Sequence, residues 1–237
     1  MITLKKVFDT LAFGELSNTK FGSTGAISED HYEQVLSYVN LGLTELYKRF
    51  ILKQNEVQLQ QHEDVSRYYL RSEHLGEVEE MDDYIYLLYS EAAPLQDDVI
   101  KILSVYDSAG VELPVNDRTA TQVITTPEPD VLLTIPEDPT EILSINYQAA
   151  HEDIVYNTDL DPSKIWLDLP AFVLAPLCYY VAACVFRGIN SSITEGTVNP
   201  GVTYNTQFEI ACQKIDVLDL SITSSDASQR FSNNGWI

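Results

Sequence analysis

The chain has 237 residues, of which 36 are acidic and 14 are Lys or Arg, for a net charge of -22. A surface of that sign repels phosphate, so nucleic-acid binding by charge neutralisation is disfavoured, and a hydrophobic content of 45% excludes disorder throughout. A chain of this length forms one domain or two and removes roughly 70 to 75% of its surface from water.

Leu4 to Phe13 reads as a short opening helix, followed by a connector from Gly14 to Gly25 that bears Gly and Ser. Ser28 to Lys53 is an uninterrupted amphipathic helix. Its apolar residues Tyr32, Val35, Leu36, Val39, Leu43, Leu46, Tyr47 and Phe50 recur at three and four and form one buried stripe. Ser28 is the expected cap, Glu29, Asp30 and Glu33 suit the positive dipole end, and Lys48, Arg49 and Lys53 suit the negative end.

After Lys53 the period changes to two. Val57 and Leu59 alternate with Glu56, Gln58 and Gln60, a strand, and Val65 to Leu70 reads as its partner across a turn at Gln61 to Asp64. Leu75 to Asp83 is dominated by acids and reads as a solvated excursion. Tyr84 to Tyr89 resumes apolar character. Val99 to Tyr106 then makes a β-rich run that turns at Asp107-Ser108-Ala109-Gly110 and returns from Val111 to Val115, the clearest hairpin in the chain. Gln122 to Leu133, broken by Pro127 and Pro129, is confined to an edge or an interruption, and Glu141 to Ala149 is a further strand. About six short strands are expected in this region.

Helix returns near Leu169-Pro170, with Asp168 as its expected cap and Leu174, Leu177, Val181, Val185 and Phe186 as its stripe. Pro176 either kinks this helix or marks its first turn, and Gly188-Ile189-Asn190 ends it. Pro200 opens a last helix in which Tyr204, Phe208, Ala211, Cys212 and Ile215 recur. The chain is then expected to be α+β: a small helical bundle from the N- and C-terminal segments, residues 1–54 and 161–220, with an inserted antiparallel β-sheet and hairpin region at 55–160 and an extended tail at 221–237. Val39, Leu43, Leu46, Tyr47 and Phe50 should form the helical core with Leu177, Val181 and Val185.

Cys178, Cys184 and Cys212 are odd in number and lie in apolar helical contexts without metal-type spacing, and Met1 to Lys6 lacks the apolar block of a signal peptide. They read as reduced and buried. The most apolar segment, Ala171 to Phe186, reaches only about half to three-quarters of a membrane span and is interrupted by Pro176, so no membrane helix is expected.

Four phrases in this order carry a resemblance: Tyr38-Val39-Asn40-Leu41-Gly42-Leu43-Thr44-Glu45-Leu46-Tyr47-Lys48-Arg49-Phe50, Asp97-Asp98-Val99-Ile100-Lys101-Ile102-Leu103-Ser104-Val105-Tyr106-Asp107, Ser144-Ile145-Asn146-Tyr147-Gln148-Ala149, and Asp168-Leu169-Pro170 with its helix. Spread over about residues 30 to 215, they resemble the head-to-tail adaptor (connector) proteins of tailed bacteriophages, the family that includes the tail tubular protein A of podoviruses. The resemblance implies a structural virion protein: a homo-oligomeric ring, commonly of twelve copies, seated in the neck below the portal protein. It would carry the tail and nozzle proteins beneath, be assembled in the host cytoplasm and use no cofactor. Genomic DNA would pass through its axial channel without specific binding. Pro176 and the acidic run at 75–83 depart from the family's features.

Three physical expectations accompany that reading. Some of the acids line the bore and keep DNA sliding, because an acidic wall repels rather than grips a polyanion. The tail from Ser221 cannot form its own core, yet it ends on Arg230, Phe231, Trp236 and Ile237, residue types that anchor interfaces, here against the portal. The turn Asp107, Ser108, Ala109 and Gly110, with the acidic run, is a candidate contact surface on a rigid scaffold.

Catalytic chemistry is poorly represented. The five acids from Glu77 to Asp83 lack the spacing and turn glycine of a calcium loop, and Asp159-Leu160-Asp161-Pro162 matches nothing beyond a turn. His31, His62, His74 and His151 are scattered, without metal spacing or a neighbouring nucleophile. The glycines form no phosphate-binding loop. No catalytic or metal residue is therefore assigned, and the chain is read as not an enzyme. The alternatives are another phage neck or tail-completion protein, or a carboxylate-dependent polysaccharide hydrolase, whose two acids need no sequence motif.

Overall fold

In the computed structural model, which describes residues 1–22, 25–77, 84–90, 94–117, 124–134, 142–189 and 200–218, Thr3 starts the first helix. Its hydroxyl accepts from the Lys6 amide at 3.3 Å, satisfying one of the donors that a helix start leaves over. Helix α1 (Leu4–Phe13) buries Leu4, Val7, Phe8, Leu11 and Ala12, the three-and-four spacing. Just before it, β1 (Ile2–Thr3) pairs antiparallel with β11 (Trp166–Leu167).

Helix α2 (Tyr32–Arg49) follows a single 3-10 turn at Glu29–His31. Ser28 was expected to cap with its side chain, but it makes no such bond; its carbonyl instead accepts from the His31 amide at 2.9 Å and closes the 3-10 turn. At the other end Phe50 is extended, so the helix stops at Arg49 rather than running to Lys53. Lys53 serves the β unit instead, with its ammonium 3.7 Å from the Asp98 carboxylate.

Helix α3 (Leu174–Ile189) follows another 3-10 turn, Ala171–Val173, which Pro170 precedes. Pro176 lies in the first turn of α3, where its missing N–H leaves no bond unmade, so it does not kink the helix. Asp168 was expected as the cap, but the capping position falls to Pro170; the Asp168 carbonyl instead accepts from the Tyr47 hydroxyl at 2.7 Å. Helix α4 (Pro200–Val217) buries Gly201, Phe208, Cys212 and Ile215.

The described chain divides into two units, Met1–Leu52 with the segment from His151 onward, and the insert Lys53–Ala150. The class is α+β, and the helical unit is assembled from both ends of the chain. The second border of the insert falls at Ala150, not at 160, because residues just beyond it are tied to α2. Within the helical unit α2 and α3 cross closely at Gly42, where an added Cβ would stand 2.7 Å from Leu177 Cδ1 and 3.1 Å from Tyr180 Cδ1. Tyr180 packs edge-on against Phe208 at 5.2 Å, and Phe186 stacks on Tyr204 at 5.3 Å, fastening α3 to α4. Arg49 joins α2 to α4 through Glu209 at 2.8 Å and Asp216 at 3.4 Å.

In the insert, β2 (Gln54–Gln60), β3 (Arg67–Tyr69), β4 (Leu75–Gly76), β5 (Leu87–Leu88), β6 (Val99–Tyr106), β7 (Glu112–Leu113), β8 (Ile124–Glu128), β9 (Val131–Thr134) and β10 (Ile142–Ala149) make two sheets. One has the order β4-β5-β2-β10-β6-β7, antiparallel except for the parallel β4–β5 pair; the other has the order β3-β9-β8. Val57, Leu59, Val105, Leu143, Ile145 and Tyr147 face one core. Two expectations about pairing are corrected or refined. Val65 to Leu70 is not the partner of β2: β3 pairs with β9, and β2 lies between β5 and β10. The reason is Tyr68, fully buried, whose hydroxyl accepts from the His62 amide and donates to the Val65 carbonyl, both at 2.9 Å. That bonding makes residues 61–65 a wide turn which carries the chain out of the first sheet. The segment at 122–133 becomes two strands, with Pro127 in the outer strand β8 as a residue lacking a ladder donor requires. Of the acidic run, Leu75 and Gly76 belong to β4, while 78–83 lie outside the described residues.

Candidate functional site

All eight expected helical-core residues, Val39, Leu43, Leu46, Tyr47, Phe50, Leu177, Val181 and Val185, are buried. Burial pushes the Tyr47 phenol up to about 12, with the Asp168 charge adding to it. The thiols of Cys178 and Cys212 are pushed up to about 12 and about 11, chiefly by burial, which makes them poor nucleophiles. Cys184 was expected buried with them; it is only half-buried.

One flank of α2 holds a groove of about 370 Å³, lined by Glu33, Leu36, Leu41, Thr44, Asp153 and Tyr156 among others. Asn40 organises it. Its carboxamide donates to the Ile154 carbonyl at 3.0 Å and accepts from the Ile154 amide at 3.2 Å, holding an irregular segment on the helix as a neighbouring strand would. One turn on, Thr44 and His151 meet at 3.1 Å. The other ring nitrogen of His151, Nδ1, faces the Glu152 carbonyl at 3.1 Å. The Thr44 hydroxyl also lies 3.0 Å from the Asn40 carbonyl, the usual back-bond of a helical threonine. That arrangement fixes a fold rather than activating a nucleophile. Of its lining, Leu41 and Tyr156 stay 50% and 37% exposed.

A second exposed face of the helical unit lies on α4. At about 100° per residue, Val202, Thr206, Ile210, Gln213 and Val217 share the face opposite Phe208, Cys212 and Ile215. Val202, Ile210 and Val217 are accordingly exposed, by 61%, 45% and 83%. The acids Glu209 and Asp216 on one border of this face are taken by Arg49, and Lys214 stands on the other border. On α2 itself, Asn40 and Gly42 point about 200° apart, so the groove lies on the side of α2 turned away from α3 and α4.

The expected hairpin turn is present. The Asp107 carboxylate accepts from the amides of Ala109 at 2.9 Å and Val111 at 2.8 Å, and Gly110 takes φ +78°, which favours glycine. Ser108, Ala109 and Gly110 are exposed. Arg230, Phe231, Trp236 and Ile237 lie outside the described residues.

A carboxylate-bearing cleft lies in the insert between Arg71, Ser72, Glu73, Asp97, Val99 and Asp130. Asp97 accepts from the Ser72 hydroxyl and amide, both at 2.6 Å, which lowers its pKa, with Arg71 contributing less. Asp130 is held by Arg71 at 2.9 Å. A carboxyl lowered as Asp97 is stands opposite to the raised carboxyl that a glycosidase needs as proton donor. Among the described residues no group of three or more His, Cys, Asp or Glu side chains could hold a metal ion, and no helix is long and apolar enough to cross a membrane.

Sequence reasoning missed the outer face of α4, although the spacing of Val202, Ile210 and Val217 by eight and seven residues signals it. The Asn40 clamp had no such signal, since its partner stands 114 residues away. No protein-family model matches the chain, and no curated protein matches it.

Proposed function

We propose that this chain is a structural subunit, the head-to-tail adaptor of a tailed bacteriophage, which forms a ring between portal and tail with an axial channel for the genome. The observation that carries the reading is a pair of exposed surfaces on the helical unit, the α2 groove and the apolar outer face of α4. A monomer gains nothing from two such faces, whereas a subunit with neighbours on both sides buries them. The net charge of -22 supports a channel role, because a wall of like charge lets DNA slide. Portal docking falls to the C-terminal segment with Arg230, Phe231, Trp236 and Ile237, and the turn at Asp107 to Gly110 faces a tail protein.

The test is to co-express the chain with the portal protein of the same genome and to image the purified mixture by negative-stain electron microscopy. An added ring of density on the portal is expected. A portal that elutes and images without the chain would overturn the reading, as would glycan turnover lost on a single Asp or Glu substitution.

A further inference from the structure

The two flanks do more than call for neighbours. They differ in shape and charge, and they belong to different helices of the helical unit, α2 and α4. The α2 flank is concave and acidic: Glu33 and Asp153 line a groove whose apolar floor includes Leu36 and Leu41. The α4 flank is a convex helix face with Val202, Ile210 and Val217 along its middle and Lys214 beside them.

A two-fold dimer needs one self-complementary patch. Two different patches that match each other make a head-to-tail contact instead, which repeats from copy to copy and ends only on closing a ring. We propose that the occupant of the α2 groove is the outer face of α4 from a second copy of this chain, with Ile210 and Val217 seated against Leu41 and Tyr156 and with Lys214 facing Glu33 and Asp153. An amphipathic helix laid in a groove is a recurrent recognition mode, anchored by residues one and two turns apart. The spacing of Ile210 and Val217 supplies such anchors. The assignment rests on the ring reading and deepens it by naming the subunit contact.

The experiment uses the full chain. In a chain whose half-buried Cys184 is changed to serine (C184S), Ile210 and Leu41 are replaced together by cysteine, and the protein is oxidised at high concentration and run without reductant. Trimers and larger covalent species are expected from I210C/L41C, and nothing beyond a dimer from either single variant, because only a heterologous contact propagates. Independently, Lys214→Glu should weaken self-association, followed by mass photometry, by about tenfold or more, and K214E combined with Asp153→Lys should restore it. The rescue separates a pairing from a folding defect. Absence of covalent species beyond the dimer from the double-cysteine variant overturns the contact whether or not the chain assembles. If a ring still forms on the portal in that case, the adaptor reading stands and the pairing alone is wrong.

Discussion

Asn40 and Ile154 exchange two hydrogen bonds across 114 residues of sequence, one in each direction between the carboxamide and a single peptide unit. Asn40→Ala removes both and leaves a part-buried carbonyl and amide to water or to nothing, at a cost of about 1–3 kcal/mol. The effect should be local. Hydrogen exchange at the Ile154 amide is expected to accelerate strongly while amides in the middle of α3 keep their protection; equal exchange in both proteins would show that the clamp holds nothing.

At the crossing of α2 and α3, Gly42→Leu must displace Leu177 or Tyr180. Overpacking of this kind costs about 1–3 kcal/mol, and urea denaturation should report it as a lowered midpoint with unchanged slope. Leu177→Ala in the same chain makes room and should return part of the loss. Additive effects of the two substitutions would argue that they do not meet.

Three phenols set the alkaline limit. Tyr47, Tyr86 and Tyr147 are each raised to about 12, burial being the largest cause in every case. A group whose folded pKa lies above its unfolded value of about 10 contributes stability that is whole below that pH and is lost as pH climbs towards 12. Unfolding free energy should therefore begin to fall near pH 9, where the thiols of Cys178 and Cys212 ionise in the unfolded chain but not in the folded one, and fall more steeply above 10 as the phenols add to them. Tyr47→Phe removes one of the three and should reduce the alkaline slope, while costing about 1–2 kcal/mol at pH 8 through the unmet Asp168 carbonyl. An unchanged slope would mean that Tyr47 ionises as freely as in an open chain.

Arg49 bridges to two acids of α4 at a partly exposed position. Exposed pairs contribute about 0.2–1 kcal/mol, so Arg49→Gln should destabilise modestly, and the difference from the unmodified chain should shrink in 1 M salt, where charges are screened beyond about 3 Å. A loss that does not respond to salt would assign the effect to packing of the arginine stem on the Phe50 ring, whose centroid lies 5.9 Å from the guanidinium.

Local signals were legible wherever one element decided them. The stripe of α2, the alternation of Val57 and Leu59, and the turn from Asp107 to Gly110 follow from spacing and turn chemistry, and all three are in place. Helix ends were less legible. Ser28 and Asp168 are good caps by type, but 3-10 turns took those positions and moved each helix start inward. Strand pairing was least legible, because the hydroxyl of Tyr68 bonding across its turn decides which sheet receives β3, and nothing in residues 61–70 announces that bond. The outer face of α4 was in the sequence as a second apolar spacing, hidden because the first spacing on the same helix already explained it.

Where the insert leaves and rejoins the helical unit, the Ala149 amide donates to the Lys53 carbonyl at 3.0 Å, so entry and exit are hydrogen-bonded neighbours on adjacent strands. Such a gate makes the β portion a cassette. Excising it asks for a linker of a few residues between Leu52 and His151, and grafting a foreign domain there asks only that its own termini lie a strand spacing apart, about 5 Å. Lineages could exchange the decoration and keep the frame.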